Sequence, residues 1–348
     1  MGQGLQGRGD SIDRPDRPEL GRSARRRSRV FLYCRDLRAT RAIRAGAWIL
    51  VGAGVAAPLL RRRVTLPPAG VLAAAALAPP ALVVAAPRGR LRDLGVMSLN
   101  MWAYLAAYEM PHDDPERQLA RLRIDYPIRV DRVIGLGIPP TVRLQRRLSA
   151  AGKINRYERV LVWCHWIWFM VPHGSVLYVL WRRPERFGWA AARMYGVFDL
   201  GAAFYWAIPT APPWYAARHG RLHEDHRPHM RRMMIEYGEQ FWGERWSELY
   251  DVLGGNPLAA MPSLHFATSL MSAHLLGEVD PVAGAVGWTY AGLLGLALVY
   301  LGEHYVVDLL GGAALAEVVR TQSHRAAPVA GVLTRALDRL NRLGHRHS

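Results

Sequence analysis

Two short segments of the chain place ionisable side chains next to apolar stretches. Residues 261–265 read Met-Pro-Ser-Leu-His, and residues 302–312 read Gly-Glu-His-Tyr-Val-Val-Asp-Leu-Leu-Gly-Gly. The apolar stretches are long enough to be buried in lipid, where ionisable groups are energetically costly and usually serve a function. The sequence therefore predicts a reaction centre formed by His265, His304 and Asp308.

These three residues suit nucleophilic attack at phosphorus. His304 and Asp308 are four residues apart, so on a helix they share one face. The carboxylate can then hold one ring nitrogen of His304 and leave the other free to attack, which forms a phosphohistidine. His265 can serve as general acid for the leaving oxygen and then as general base for the acceptor.

Ser263 is a candidate substrate-binding residue. Pro262 suits the first turn of a helix, where unpaired backbone N–H groups bind anions such as phosphate. We expect the hydroxyl of Ser263 to point outward and to complete this anion site. Gly302, Gly311 and Gly312 are interpreted as helix-packing positions rather than as a phosphate loop.

The elements that must position these residues are membrane helices. Of the 348 residues, 51% are hydrophobic, and they fall in blocks of about 20, the length that crosses the hydrocarbon layer. Pro79-Pro80 would kink the second block, and the third is short and contains Asn100 and Glu109. The sequence predicts an all-α, polytopic membrane helical bundle of six to eight helices. The candidate spans are 42–60, 67–86, 95–110, 160–181, 188–208, 261–277, 282–301 and 305–319.

The net charge of +17 comes mainly from arginine. Arginine clusters in the first 44 residues, in the turn Arg182-Arg183 and after Arg320, which is typical of positive-inside topology and contact with anionic lipid. We therefore expect membrane lipids as partners and no nucleic acid. Residues 1–40 are predicted to be a basic, disordered cytoplasmic arm, not a signal peptide. Residues 321–348 are predicted to be a basic cytoplasmic tail.

This charge pattern predicts a multi-pass protein of the cell membrane with both termini in the cytoplasm. The loop 209–260 and both motif segments would then share the external face. Segment 111–159 would also be external although it is basic, and its amphipathic stretch 142–148 could lie flat on anionic headgroups. Cys34 and Cys164, the only cysteines, are not expected to form a disulfide.

The external loop carries two further groups of residues. One has side chains that could ligate zinc, but its spacing fits no specific site, so a polar lid is the preferred interpretation and a solvated loop remains open. Its members are His219, His223, Glu224, Asp225, His226 and His229. The other has aromatic residues at helical spacing, as in an interfacial helix. Its members are Phe241, Trp242, Trp246, Leu249 and Tyr250. Outside this loop, His165, His173 and His274 are interpreted as structural.

The motif residues resemble a known family. Ser263-Leu264-His265 and His304-Tyr305-x-x-Asp308 are similar to the second and third motifs of the type 2 phosphatidic acid phosphatase superfamily. Within it, they are most similar to the branch containing inositol phosphorylceramide synthase and sphingomyelin synthase. Residues 209–214, Pro-Thr-Ala-Pro-Pro-Trp, resemble the Pro-rich Trp motif of that branch. The resemblance covers about residues 95–319.

The resemblance implies a six-helix catalytic core at 95–320, preceded by one or two extra membrane helices within 41–94. It implies a phosphohistidine mechanism that needs neither metal nor cofactor, and a lipid-linked phosphate substrate. His304 would be the nucleophile, Asp308 its orienting group and His265 the acid/base. Trp214 and Tyr305, which lie in the matching motifs, would contact substrate.

The chain departs from the phosphatase pattern at the phosphate-binding cations. No Lys stands six or seven residues ahead of an Arg-Pro pair, and Ala297-Leu298 replaces the Ser-Arg pair expected before His304. Both losses favour the transferase branch, which also lacks these cations. Arginines of the external loop are candidate replacements, because an arginine fork is the best side-chain ligand of phosphate; a solvated charge is the alternative for each. They are Arg218, Arg221, Arg231 and Arg232.

The sequence thus predicts a membrane lipid phosphotransferase, similar to inositol phosphotransferases, with a lipid phosphate donor and a hydroxyl acceptor. A lipid phosphate phosphatase that uses water as the acceptor is one alternative. A transporter with a His/Asp proton relay is another, but it predicts internal repeats and none is seen. The identities of donor and acceptor stay open, as does the oligomeric state.

Overall fold

The computed structural model describes residues 20–150, 152–222, 230–253 and 256–344, with side chains from Thr40 onward except at 250–253. Within these ranges the regular elements are helices, apart from isolated bridges of Thr210 with Arg123 and Ala259. The predicted all-α membrane bundle is confirmed. The helices are α1 (Leu20–Leu60), α2 (Pro68–Ala85), α3 (Arg90–Glu109), α4 (Pro115–Arg121), α5 (Asp125–Ile134), α6 (Pro140–Leu148), α7 (Arg156–Trp166), α8 (Met170–Arg182), α9 (Phe187–Ala207), α10 (Pro213–Arg218), α11 (Met233–Trp242), α12 (Arg245–Leu253), α13 (Leu264–Gly277), α14 (Pro281–Tyr300) and α15 (Val306–Gly344).

Three helices in the described part of the chain are by themselves long and apolar enough to cross a membrane. They are the Thr40–Leu60 part of α1, then α2 and α14. Helices α7 and α8 together make a fourth candidate, bent by 57° at the break between them. The predicted span 160–181 is therefore not one straight helix but a bent helix pair, with the geometry of a broken span or of a re-entrant loop. Since α3, α9, α13 and α15 overlap the other predicted spans, a total of six to eight stays a prediction.

Two helices run differently from the sequence prediction. Pro79 and Pro80 lie inside α2 and do not interrupt it, because neighbouring helices can satisfy backbone groups that a membrane proline frees. Helix α1 begins at Leu20 and so extends into the segment predicted to be disordered. No Gly or Pro occurs between residues 22 and 45, and Arg, Ala and Leu favour helix.

Helix α13 lies at the centre of the bundle and packs against α8, α9, α14 and α15. One of its faces carries Ala267, Met271 and Leu275, which are spaced four apart and buried in the largest apolar cluster. On its α14 side, glycines allow close backbone approach. A Cβ atom at Gly287 would lie 2.8 Å from the Cα of Ala273.

The start of α15 also approaches its neighbours closely. A Cβ atom at Gly311 would lie 2.6 Å from the Sδ of Met261, and one at Gly312 would collide with the carbonyl of Ser263. Both glycines are packing positions, as the sequence predicted. Helix α15 therefore lies directly against the segment that leads into α13, which brings the two motif segments together.

Helix α15 continues for 39 residues, well beyond the predicted span 305–319. Near its end, the amide of Asn341 donates hydrogen bonds to the carbonyls of Val83, Val84 and Ala86, at 2.8, 3.2 and 2.9 Å. These are among the last carbonyls of α2, which lack partners within their own helix. One helix thus carries Asp308 at its start and fastens the α1–α2 hairpin at its end.

Candidate active site

His265 lies in the first turn of α13, which begins at Leu264 with Ser263 as its N-cap. The hydroxyl of Ser263 accepts a hydrogen bond from the backbone N–H of Phe266 at 3.3 Å and is fully buried. The expectation of an outward-pointing hydroxyl was wrong, because this oxygen satisfies a helical N–H that would otherwise lack a partner. Ser263 therefore shapes the start of α13, and Pro262 precedes the cap.

His304 lies in the turn between α14 and α15, one residue before the N-cap of α15, not on the helix as the spacing suggested. Gly302 turns the chain with a φ of +77°. The Nδ1 atom of His304 faces Oδ2 of Asp308 at 3.4 Å, and the same oxygen accepts the backbone N–H of Tyr305 at 2.9 Å. Asp308 thus occupies the third helical position and reaches back to the cap, which is half of a capping box.

The two imidazoles meet directly. Nδ1 of His265 and Nε2 of His304 are 3.2 Å apart, and the rings are edge to face with centroids 5.3 Å apart. A backbone hydrogen bond of 2.9 Å from Ser263 to the carbonyl of Asp308 joins the two segments. The structure therefore brings together the three residues predicted to form the reaction centre. One ring of the pair must carry the proton between them.

Two residues that sequence reasoning did not assign to the site surround His265. The ring of His165 stacks on it with centroids 4.7 Å apart, and the ring of Trp168 lies 4.1 Å away. The indole N–H of Trp168 donates to Oγ1 of Thr268 at 2.9 Å, which fixes the Trp ring against α13. His165 lies in the last turn of α7, and Trp168 lies in the break between α7 and α8. The available signal is a histidine inside an apolar stretch, which the sequence alone does not distinguish from a structural histidine.

Sequence reasoning also missed Asp131 of α5, which is fully buried. Its carboxylate accepts the backbone N–H groups of Val306 and Val307 at 3.0 and 2.9 Å. Burial raises the pKa of Asp131, and these two hydrogen bonds act in the opposite direction. No local pattern marks this residue, since its partners lie far along the chain.

The predicted substrate contacts separate into two kinds. The side chain of Tyr305 is fully buried in a cluster with Ile128, Ala216 and Leu222. Its ring therefore supports the turn and is not exposed to a ligand. The backbone N–H of Trp214 donates to the carbonyl of Gly302 at 3.1 Å, so residue 214 lies beside the turn that carries His304; its contact with substrate stays a prediction.

The structure distinguishes the candidate phosphate-binding arginines. Arg221 is paired with Asp125 at 2.6 Å, and Arg231 is paired with Glu236. Arg218 lines a surface cavity together with Trp214. None of these three contacts a histidine of the reaction centre in the described part of the chain.

Arg232 is the arginine best placed beside the reaction centre. Its guanidinium lies 3.8 Å above the ring of Trp214. Burial raises the pKa of Glu303, which precedes His304, and the positive charge of Arg232 opposes that rise. A cation therefore lies next to the turn that carries His304.

The two groups in the loop have different outcomes. His219 stacks on Tyr215 with centroids 4.0 Å apart, whereas the other members of its group, at 223–226 and 229, lie outside the described residues. Among the residues that are described, no group of three or more His, Cys, Asp or Glu side chains is arranged to hold a metal ion.

The predicted interfacial helix is two helices, α11 and α12, separated at Gly243, which has a φ of +59°. Phe241 and Trp242 are exposed, whereas Trp246 is buried against Trp166. Leu249 lies on α12, and the side chain of Tyr250 is outside the described part.

The remaining histidines are consistent with a structural role. Nδ1 of His173 bonds to the carbonyl of Phe169 at 2.7 Å, and Nε2 of His274 bonds to Glu317 at 2.7 Å. Cys164 is a buried free thiol.

Fold and site together define a class of protein: a polytopic α-helical membrane protein with a buried His–His–Asp centre. The family model of the PAP2 superfamily matches residues 128–320, more than half of the chain, and the chain belongs to that superfamily. The match includes the reaction centre and also Asp131 and His165. The prediction of an enzyme of the type 2 phosphatidic acid phosphatase superfamily is confirmed.

Three relatives are similar over part of their length. Inositol phosphorylceramide synthase of Candida albicans is 33% identical over 125 residues, 34% of this chain and 26% of that protein. The inositol phosphorylceramide synthase catalytic subunit aur1 of Schizosaccharomyces pombe is 30% identical over 131 residues, 36% of this chain and 30% of that protein. Phosphoinositol dihydroceramide synthase of Bacteroides thetaiotaomicron is 29% identical over 155 residues, 42% of this chain and 48% of that protein.

The chain therefore aligns with between about a quarter and about half of each relative's length. No solved structure matches it.

Proposed function

We propose that the chain is a membrane lipid phosphotransferase that moves a phosphorylated headgroup from a lipid phosphoester to a lipid hydroxyl through a phosphohistidine on His304. The observation that carries the proposal is the geometry of His304. One of its ring nitrogens faces His265 at 3.2 Å, and the other faces Asp308 at 3.4 Å. A nucleophile with an acid/base on one side and a carboxylate on the other has the parts that phosphohistidine formation needs.

In the first step, the lone pair on Nε2 of His304 attacks phosphorus. The phosphorus–oxygen bond to the donor's lipid alcohol breaks, and His265 gives its proton to the leaving oxygen. Asp308 holds Nδ1–H and stabilises the positive charge that develops on the ring. Since 3.2 Å leaves no room for phosphorus between the two nitrogens, the rings must separate when the donor binds.

In the second step, His265 has lost its proton and acts as a base. It takes the proton of the acceptor hydroxyl, whose oxygen attacks phosphorus. The phosphorus–nitrogen bond breaks, and its electron pair returns to Nε2 of His304. Both histidines then have their original protonation, so the cycle needs no other reactant.

The relatives suggest the chemistry of donor and acceptor. Their names identify synthases of inositol phosphorylceramide and phosphoinositol dihydroceramide. By similarity, the group transferred here is a phosphoinositol headgroup, and the acceptor is the hydroxyl of a ceramide-type lipid. Arg232, which lies over Trp214 beside the His304 turn, is the proposed cation for the phosphate. The clustering of arginine at the termini supports an external active site.

The test uses the purified chain in detergent, with EDTA and phosphatidylinositol labelled in its headgroup. Ceramide, dihydroceramide, diacylglycerol and water alone are compared as acceptors, and the products are identified by mass spectrometry. We expect a labelled sphingolipid product with the wild type and none with His304→Ala. Free inositol phosphate as the only product would reject transfer in favour of hydrolysis. Turnover in His304→Ala would reject the proposed nucleophile.

A further inference from the structure

We propose that Asp131 is a positioning residue of the active site, whose carboxylate holds the start of α15 and thereby sets the position of His304 and Asp308. The proposal deepens the proposed function and rests on it. It starts from the position of Asp131 on α5, a short helix outside both motif segments. Its carboxylate nevertheless binds the backbone of the second motif segment, at the start of α15.

The contacts of Asp131 meet a need that every helix start has. The first N–H groups of a helix have no partner within the helix. At the start of α15, Tyr305 donates to Asp308 at 2.9 Å, Val306 donates to Asp131 at 3.0 Å, and Val307 donates to Asp131 at 2.9 Å. Two carboxylates thus bind three consecutive N–H groups, directly after His304.

Both carboxylates are fully buried. A buried carboxylate is costly unless hydrogen bonds and charge compensate it. The positive end of the α15 dipole supplies part of that compensation, and the N–H groups of Val306 and Val307 supply a further part for Asp131. This arrangement is costly to assemble and has little tolerance for displacement, so it fixes α15 relative to α5.

A second contact from α5 acts on the same turn. Ile128 lies three residues before Asp131, on the same helical face, and is in the apolar cluster that buries the ring of Tyr305. Helix α5 therefore holds the side chain of residue 305 and the backbone of residues 306 and 307. His304 directly precedes residue 305, so any shift of the start of α15 moves the His304 ring.

The geometry of the reaction centre makes such a shift matter. The distance of 3.4 Å between His304 and Asp308 is already long for a hydrogen bond. Small displacements of a reacting group can cost large factors in rate, because the attack geometry is lost. Asp131 does not touch the reacting atoms. We therefore expect its loss to lower kcat and to leave KM nearly unchanged.

The experiment compares three variants. Asp131→Asn keeps the shape and one acceptor oxygen, whereas Asp131→Ala removes both acceptors. The matched control is Asp125→Ala, on the same helix, whose carboxylate is half-exposed and pairs with Arg221. We expect kcat to fall by about 10-fold in Asp131→Asn and by about 100-fold in Asp131→Ala, with KM within twofold. Asp125→Ala should stay within twofold of wild type in both parameters.

Hydrogen exchange of the peptide that contains residues 304–309 is measured on the same proteins without substrate. We expect faster exchange in Asp131→Asn and unchanged exchange in Asp125→Ala. Unchanged exchange in Asp131→Asn would overturn the proposal, and so would faster exchange with an unchanged kcat. Because Asp131→Asn decides both readouts, failure of Asp131→Ala to fold does not affect the test. If the wild type transfers no headgroup, the proposed transfer function fails, but the role of Asp131 is still tested. The kcat is then measured on the His304-dependent hydrolysis of the labelled donor, and hydrogen exchange is measured as before.

Discussion

The two helices that meet at the candidate reaction centre, α13 and α15, are also joined at the far end of α13 by a histidine and a carboxylate. There, Nε2 of His274 bonds to Glu317 at 2.7 Å, and the second oxygen of Glu317 pairs with Arg320 at 2.7 Å. At the reaction centre, His304 faces Asp308 at 3.4 Å, and the side chain of Asp308 is fully buried. The shorter contact belongs to the pair with no assigned chemistry.

The two pairs differ in the partners that offset the negative charge of the carboxylate. The side chain of Glu317 is 43% exposed and has an arginine partner, so its interaction with His274 is worth little. Asp308 has no arginine partner in the described structure, and its Oδ1 atom has no hydrogen-bond partner there. In the proposed mechanism, this carboxylate can therefore stabilise the positive charge that develops on His304. Burial and the lack of an arginine partner, not a short contact, distinguish the proposed reactive pair.

Replacing the nucleophile should give the largest effect. We expect His304→Ala to lower headgroup transfer by about 10⁴-fold or more, because no other group can form the covalent intermediate. Transfer is measured with labelled donor, and circular dichroism checks that the helices persist. His274→Ala is the matched control. A comparable loss of transfer in His274→Ala would show that the two histidine–carboxylate pairs do not differ in function.

Replacing the acid/base should have the next largest effect. His265→Ala should slow transfer from a lipid donor by about 10³-fold, since the leaving alkoxide then receives no proton. A donor with a p-nitrophenolate leaving group needs no such proton and should lose far less. Equal losses with both donors would show that His265 does not protonate the leaving group.

Removing the charge of Asp308 should have a smaller effect. Asp308→Asn is expected to lower kcat by about 100-fold with KM within twofold, because the amide stabilises the charged His304 ring less well. Steady-state kinetics with the lipid donor measure both parameters. An unchanged kcat would show that Asp308, like Glu317, has only a structural role.

The ring of Trp168 offers a sharper test of how His265 is held. Trp168→Phe keeps an aromatic ring near His265 but loses the hydrogen bond to Thr268, and Trp168→Ala loses both. We expect kcat to fall by about threefold and about 10-fold, respectively, since the His265 ring gains freedom. If kcat is the same in Trp168→Phe and Trp168→Ala, packing of an aromatic ring against His265 does not contribute to the rate.

Changes at the opposite end should have the smallest effect. Glu317→Gln is expected to leave transfer within twofold of wild type and to lower the free energy of unfolding by at most about 1 kcal/mol. Activity and thermal denaturation are measured on the same preparation. A loss of transfer without a loss of stability would show that the two ends are functionally coupled.

The sequence was sufficient to predict the helical bundle and the three side chains that the structure brings together at the candidate reaction centre. His265, His304 and Asp308 stand in local motifs, and apolar blocks of membrane length mark most of the helices. The break between α7 and α8 was missed because the apolar run continues through Ile167 and Phe169. Hydropathy records how apolar a segment is and does not record where its axis bends.

Long-range polar pairing could not be predicted in the same way. Asp131 binds residues that are 175 and 176 positions away, and nothing in the neighbouring residues indicates this. The candidate arginines could be distinguished only after their acidic partners were known. Arg221 is paired with Asp125, which lies 96 positions before it. Both cases depend on tertiary contacts that a local pattern does not contain.

The length of α15 has a practical consequence for work with this protein. At about 1.5 Å per residue, its 39 residues extend roughly 58 Å from the reaction centre. Asn341, near the distal end, is the residue that binds the last carbonyls of α2. A purification tag or reporter that replaced residues from 335 onward would keep His265, His304 and Asp308 but remove the hydrogen bonds between Asn341 and the end of α2. Fusions are therefore better placed after residue 344.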